Sequence, residues 1–150
     1  MQKLKQVFIQ GCTLLFLSLF VYTAVSKLLD HQNFLQVLYH APLLHPIAPI
    51  TAVAVPAAEL TAAALLFLPM TRTTGLFAAL LLMVVFTLYL AFMLLSGETL
   101  PCACGGVIST LGWKAHLLVN MALTALAFMA WRLRFGSEEG LYDPEQAIYT

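Results

Sequence analysis

The chain has 150 residues, 61% of them hydrophobic and 9% charged, with seven basic residues balancing seven acidic ones. A soluble domain of this length has too little interior for so much apolar side chain, so the composition points to an integral membrane protein. A net charge of +0 excludes a basic nucleic-acid footprint and a polybasic mode of binding to membrane surfaces.

The first apolar window, about Val7–Leu29, follows Lys3 and Lys5. It is long enough to cross roughly 30 Å of hydrocarbon as a helix of about 20 residues. Ala24-Val25-Ser26 has the small-residue look of a signal-peptide cleavage site, but the apolar run exceeds a signal core, so a retained helix is expected. Ser18, Tyr22 and Ser26 recur every four residues and line up on one helix face. Cys12 reads as a small buried apolar residue.

Asp30 to Pro46 is a polar connection. Within it, residues 30–39 carry apolar side chains at helical spacing and predict a short interfacial helix. His31, His40 and His45 lack metal-ligand spacing and read as solvated. The second window, Ile47–Leu68, contains Glu59 at mid-depth. An ionisable group there costs at least about 2.5 kcal/mol unless paired, neutral or hydrated. Asn120 and Lys27 are its candidate partners.

A tight turn, Pro69-Met70-Thr71-Arg72, leads to the third window, Thr73–Leu95, which adds Tyr89 and is followed by Ser96. The fourth, Leu111–Leu133, sets Trp113, His116, Asn120 and Thr124 on one face. The expected fold is therefore all-α: an integral membrane four-helix bundle over residues 1–135, with a flexible polar tail over 136–150. A polar seam through its interior would hold Glu59, Asn120, Tyr22, Lys27 and Trp113.

Orientation follows from the short loops, because Lys and Arg are retained on the cytoplasmic side. Lys3, Lys5, Arg72, Arg132 and Arg134 fall on one side, and Lys27 and Lys114 on the other. Both termini are thus expected in the cytoplasm. The loop between the third and fourth spans then faces outward, which for a bacterial inner membrane is the oxidising periplasm.

That loop reads Leu100-Pro101-Cys102-Ala103-Cys104-Gly105-Gly106. Two thiols one residue apart close a disulfide only if the backbone turns to bring their Cα atoms within about 4.4 to 6.8 Å. Pro101, Gly105 and Gly106 suit such a turn. So small a ring adds little as a staple, and a strained disulfide is the more readily reduced kind. Reversible thiol–disulfide exchange is the favoured reading. His116 would support it by moving protons or, as the imidazolium, by favouring the thiolate. Cu(I) binding by the two thiolates with His116 or a methionine, and simple packing at the end of a bundle, are the alternatives. No metal site is expected from these residues, since one Cys-x-Cys pair has too few ligands for structural zinc.

Ser26-Lys27-Leu28-Leu29-Asp30 with Phe34, Pro56-x-x-Glu59 and Cys102-Ala103-Cys104-Gly105 together resemble the DoxX-like membrane proteins, and within them the MauE branch, over nearly the whole chain. The resemblance implies a redox-associated membrane protein of methylamine utilisation. Such a protein assists disulfide formation in a periplasmic protein alongside a thioredoxin-like partner. Cys102 and Cys104 are the residues that carry over. The family also resembles the four-helix core of vitamin K epoxide reductase, which passes electrons from thiols to a quinone. Those enzymes use Cys-x-x-Cys and usually a second outer pair, which this chain lacks, so a quinone acceptor gains only weak support. A non-catalytic assembly factor is the competing class, and no residue names the substrate or the oligomeric state.

If both termini are cytoplasmic, a reporter active only in the cytoplasm should work when fused after Thr150. An impermeant thiol reagent added outside should then modify reduced Cys102 or Cys104 and spare Cys12. Labelling of Cys12 alone would reverse the topology.

Overall fold

The computed structural model describes residues 2–41, 43–96 and 113–139. Among them it is all helical, with α1 Gln2–Leu29, α2 His31–His40, α3 Ala48–Phe67, α4 Arg72–Leu95 and α5 Trp113–Glu139. Short 3-10 turns, His45–Ile47 and Pro69–Thr71, lead into α3 and α4. Four segments, Lys3–Leu29, His45–Phe67, Pro69–Leu95 and Lys114–Gly136, are long and apolar enough to cross a membrane. The last helix continues to Glu139 rather than ending near 133.

The four long helices alternate in direction. At the end called upper here, α1 and α4 finish while α3 and α5 begin; the turn joining α3 to α4 marks the lower end. The closest packing is between α4 and α5 and between α1 and α3. Contact between α3 and α4 is intermediate, and α1 touches α5 more sparingly. The bundle is thus two tight helix pairs laid side by side.

Its lower half is packed around apolar side chains. Phe16 and Phe20 stack with ring centres 6.0 Å apart, and they join Leu66, Leu76, Ala79, Ala127 and Ala130 in one buried cluster. Small residues let backbones approach, which matters in lipid because no hydrophobic force separates helix from solvent there. Cys12 belongs to this cluster and is buried. The outer faces carry Leu14, Val53, Leu81 and Leu118, all exposed, as suits contact with acyl chains.

At the lower turn, Leu68 is extended and Pro69 stops α3. The Thr71 hydroxyl then donates to the Leu65 carbonyl at 2.9 Å, satisfying an orphan acceptor of the last α3 turn. Gly75 makes this turn tight: a Cβ there would lie 2.7 Å from the Leu66 nitrogen and 2.8 Å from the Leu65 carbonyl carbon. Both are backbone atoms and have no side-chain freedom to yield.

At the upper end, α2 lies against α3 and touches α1 less. Phe34 and Leu38 of α2 meet Ala48 and Ala52 of α3 in a second, smaller cluster. This is the short helix that the apolar spacing predicts over residues 30–39.

Gly75→Ala should therefore push α3 and α4 apart and cost about 1–3 kcal/mol, as overpacking does. Gly11→Ala, where the added methyl meets nothing within 4 Å, should be neutral or stabilising. Thermal melts of the purified variants in one detergent check both.

Candidate functional site

Side chains on a helix lean toward its N-terminus. In the antiparallel α1–α3 pair this tilts Lys27, two residues from the end of α1, down into the bundle, and tilts Glu59 up toward it. The two meet: Lys27 Nζ donates to Glu59 Oε1 at 2.8 Å and to Oε2 at 3.1 Å. Its third donor reaches the Thr23 carbonyl at 3.3 Å. The Thr23 hydroxyl donates to Glu59 Oε1 at 3.1 Å, which closes the group. Lys27 is 6% exposed and Glu59 1%. The Phe34 ring lies 5.9 Å from the ammonium, so α2 covers the pair from above.

The arrangement sets the stagger of the bundle. Glu59 stands about 16 Å below the start of α3, at a rise of roughly 1.5 Å per residue, whereas Lys27 is only about 3 Å from the end of α1. Pairing therefore requires α1 to stop short of the top of α3, and α2 occupies the step.

Across the interior, His116 and Asn120 of α5 are buried, at 4% and 7% exposure. Asn120 Nδ2 donates to the His116 carbonyl at 3.2 Å. One turn lower, the Thr124 hydroxyl donates to the Asn120 carbonyl at 2.8 Å and lies 2.9 Å from the Thr87 hydroxyl of α4. These hydroxyls tie α4 to α5 where no apolar packing advantage exists. A cavity of about 280 Å³ separates the α1–α3 ion pair from His116 and Asn120, with Tyr89 of α4 also on its wall.

Three residues expected in a polar seam, Lys27, Glu59 and Asn120, thus border one cavity, and His116, expected to support the thiol pair, borders it as well. Of the two candidate partners for Glu59, Lys27 takes the role, and Asn120 faces it across the cavity. Tyr22 does not belong to the seam. It is 46% exposed and lies with Ser18 and Ser26 in a shallow groove on the outer side of α1. A step of one residue turns a helix by about 100°, so Thr23 and Lys27 face inward and Tyr22 faces out. Thr23 was invisible in the apolar pattern, although its spacing of four from Lys27 is the signal that could have found it. Trp113 begins α5, but its side chain, together with Cys102, Cys104, Gly105 and Gly106, lies outside the described residues.

Comparison with known families gives one match. The family model described as methylamine utilisation protein MauE covers residues 5–133, and the chain belongs to that family. No curated protein and no solved structure gives a match.

The ion pair makes a measurable prediction. Removing one member strands a buried charge, so Lys27→Met and Glu59→Leu should each lose about 3–5 kcal/mol. The double variant should recover most of that loss, giving a coupling energy of several kcal/mol in a double-mutant cycle. Additive losses in chemical denaturation would mean the two side chains act independently.

Proposed function

Taking membership of the MauE family as the premise, we propose that the protein supports thiol–disulfide exchange at the outer face of a bacterial inner membrane through Cys102 and Cys104. Its partner is a periplasmic thioredoxin-like or substrate thiol protein. The setting is the maturation of an exported protein, in the family's case one of methylamine utilisation.

The observation that supports this reading is the position of His116. Residues 97–112 join the end of α4 to the start of α5, so Cys102 and Cys104 are tethered to the upper end of the bundle. Cys102 is six residues from Ser96, a reach of at most about 22 Å at 3.6 Å per residue. His116 stands buried on α5 one turn below that end. An imidazole near the helix end to which the thiol-bearing segment is joined is a group able to give and take protons.

The exchange conserves bonds and electrons. A thiolate of the pair attacks a partner disulfide, forming a mixed disulfide and releasing one partner thiolate. The neighbouring thiolate then attacks the mixed disulfide, which closes the Cys102–Cys104 bond and leaves the partner dithiol reduced. Run in reverse, the same two steps oxidise the partner. A non-catalytic assembly factor is the second reading, favoured by the Ser18, Tyr22 and Ser26 groove, which offers hydroxyls to a neighbouring membrane helix.

Of Cys102→Ala and Cys104→Ala, the one that removes the resolving thiol should trap a partner as a mixed disulfide, visible as a reducible higher band on non-reducing gels. In a glutathione redox series, the parent pair should oxidise at a potential above about −300 mV, the region below which structural disulfides usually lie. Gly105→Val should hinder closure while the bundle stays folded. A pair that never oxidises, and that traps no partner, would leave the assembly role. Copper that co-purifies stoichiometrically would instead favour a Cu(I) carrier.

A further inference from the structure

The cavity in the upper half of the bundle has walls that are almost wholly apolar, with Leu38, Val55, Met93 and Leu123 among them. Its volume of about 280 Å³ is near the lower end of the range for ligand pockets, roughly 300–1,000 Å³. Three features define what could occupy it.

The first is charge. Lys27 spends all three donors on Glu59 and the Thr23 carbonyl, and both Glu59 oxygens accept from Lys27. The Lys27 and Glu59 charges cancel within the wall, so neither is left over for a charged occupant entering this low-dielectric space. The second is hydrogen bonding. Asn120 uses one N–H on the His116 carbonyl, which leaves its second N–H and its Oδ1 for an occupant, an acceptor and a donor side by side. The third is access. Val85 of α4 and Val119 of α5 border the cavity and are 52% and 40% exposed on helix faces that meet lipid. The cavity is thus bordered by residues that also reach the outer surface of two apolar spans.

We propose that this cavity is a binding site for a neutral, membrane-soluble molecule with a hydroxyl or carbonyl head and an apolar body. Its head hydrogen-bonds to the Asn120 amide, and its body lies along Val85 and Val119. The site goes beyond thiol exchange and does not depend on it: the ligand needs neither Cys102 nor Cys104.

Three probes of one length separate the ligand chemistries: 4-octylphenol with a neutral oxygen head, 4-octylbenzoate with a charged one, and octylbenzene with none. Binding is read by equilibrium dialysis against the full chain in lipid nanodiscs, with uptake by empty nanodiscs subtracted. The parent should take up one equivalent of 4-octylphenol saturably, bind octylbenzene at least about tenfold more weakly, and show no saturable uptake of 4-octylbenzoate. Asn120→Leu should weaken 4-octylphenol about tenfold, the factor expected for one or two hydrogen bonds. Val55→Phe and Leu123→Trp fill the cavity from α3 and α5 respectively. Either one, if its melting temperature without probe matches the parent's, should abolish uptake. A Cys102→Ser, Cys104→Ser double variant should bind as the parent does, so loss of thiol exchange and loss of this site are separate results. Equal binding of octylbenzene, saturable uptake of 4-octylbenzoate, no saturable uptake of 4-octylphenol, or parent-like binding by a folded cavity-filled variant would each overturn the proposal.

Discussion

The Lys27–Glu59 pair is the constraint on which the upper half of the bundle depends. Either charge alone in a membrane span costs about 2.5–3.5 kcal/mol on insertion scales and more by other estimates. Joined through two hydrogen bonds, with Thr23 accepting the third donor and donating back, the charges need no water. A closed group of this kind is intolerant of sliding. Moving α1 by one turn against α3 would shift Lys27 about 5.4 Å and strand both ions in hydrocarbon. Apolar packing cannot hold register so strictly, because one Leu against lipid is much like another.

The cavity follows from how the two helix pairs are tied. The pair α1–α3 is locked by ions near the top, and the pair α4–α5 by the Thr87–Thr124 hydroxyls near the middle. In the lower half, Phe16, Ala127 and Ala130 bring α1 and α5 into one cluster. In the upper half the interior positions of α5 are His116 and Asn120, and the Asn120 amide donates along its own helix to the His116 carbonyl. The ion pair is closed within α1 and α3, so it draws neither α4 nor α5 toward it. Space remains between the two helix pairs, and α2 roofs it through Phe34 and Leu38.

Much of this could be read from residue order alone, and the limits have physical causes. Spanning helices announce themselves by length and apolarity, and the short α2 by apolar spacing. Glu59 stood out because a carboxyl at mid-depth demands a partner. Which partner depended on helix adjacency, and that is a tertiary fact: Asn120 stood at comparable depth, and Lys27 could reach only if α1 allowed it. Tyr22 misled because a stripe of hydroxyls on a spanning helix suits either a polar interior or a helix partner in the membrane, and periodicity does not say which way a face points. Thr23 gave no warning because one threonine among apolar residues is compatible with lipid when its hydroxyl bonds its own backbone. The cavity had no sequence sign, since Leu38, Phe86, Met93 and Leu123 on its wall read as ordinary apolar residues of a span.

The polar chemistry is also concentrated at one end, and the lower half shows why that is not a requirement of folding. Cys12, Phe16, Leu66 and Ala79 pack the same helices through apolar side chains. An apolar upper half would have been as stable or more so, because replacing a buried ion pair by well-packed apolar residues is often neutral or stabilising. The ions, the buried imidazole and the carboxamide therefore do something that packing does not require. They lie toward the end of the bundle at which α4 finishes and α5 begins, and it is those two helix ends that the segment carrying Cys102 and Cys104 joins in sequence.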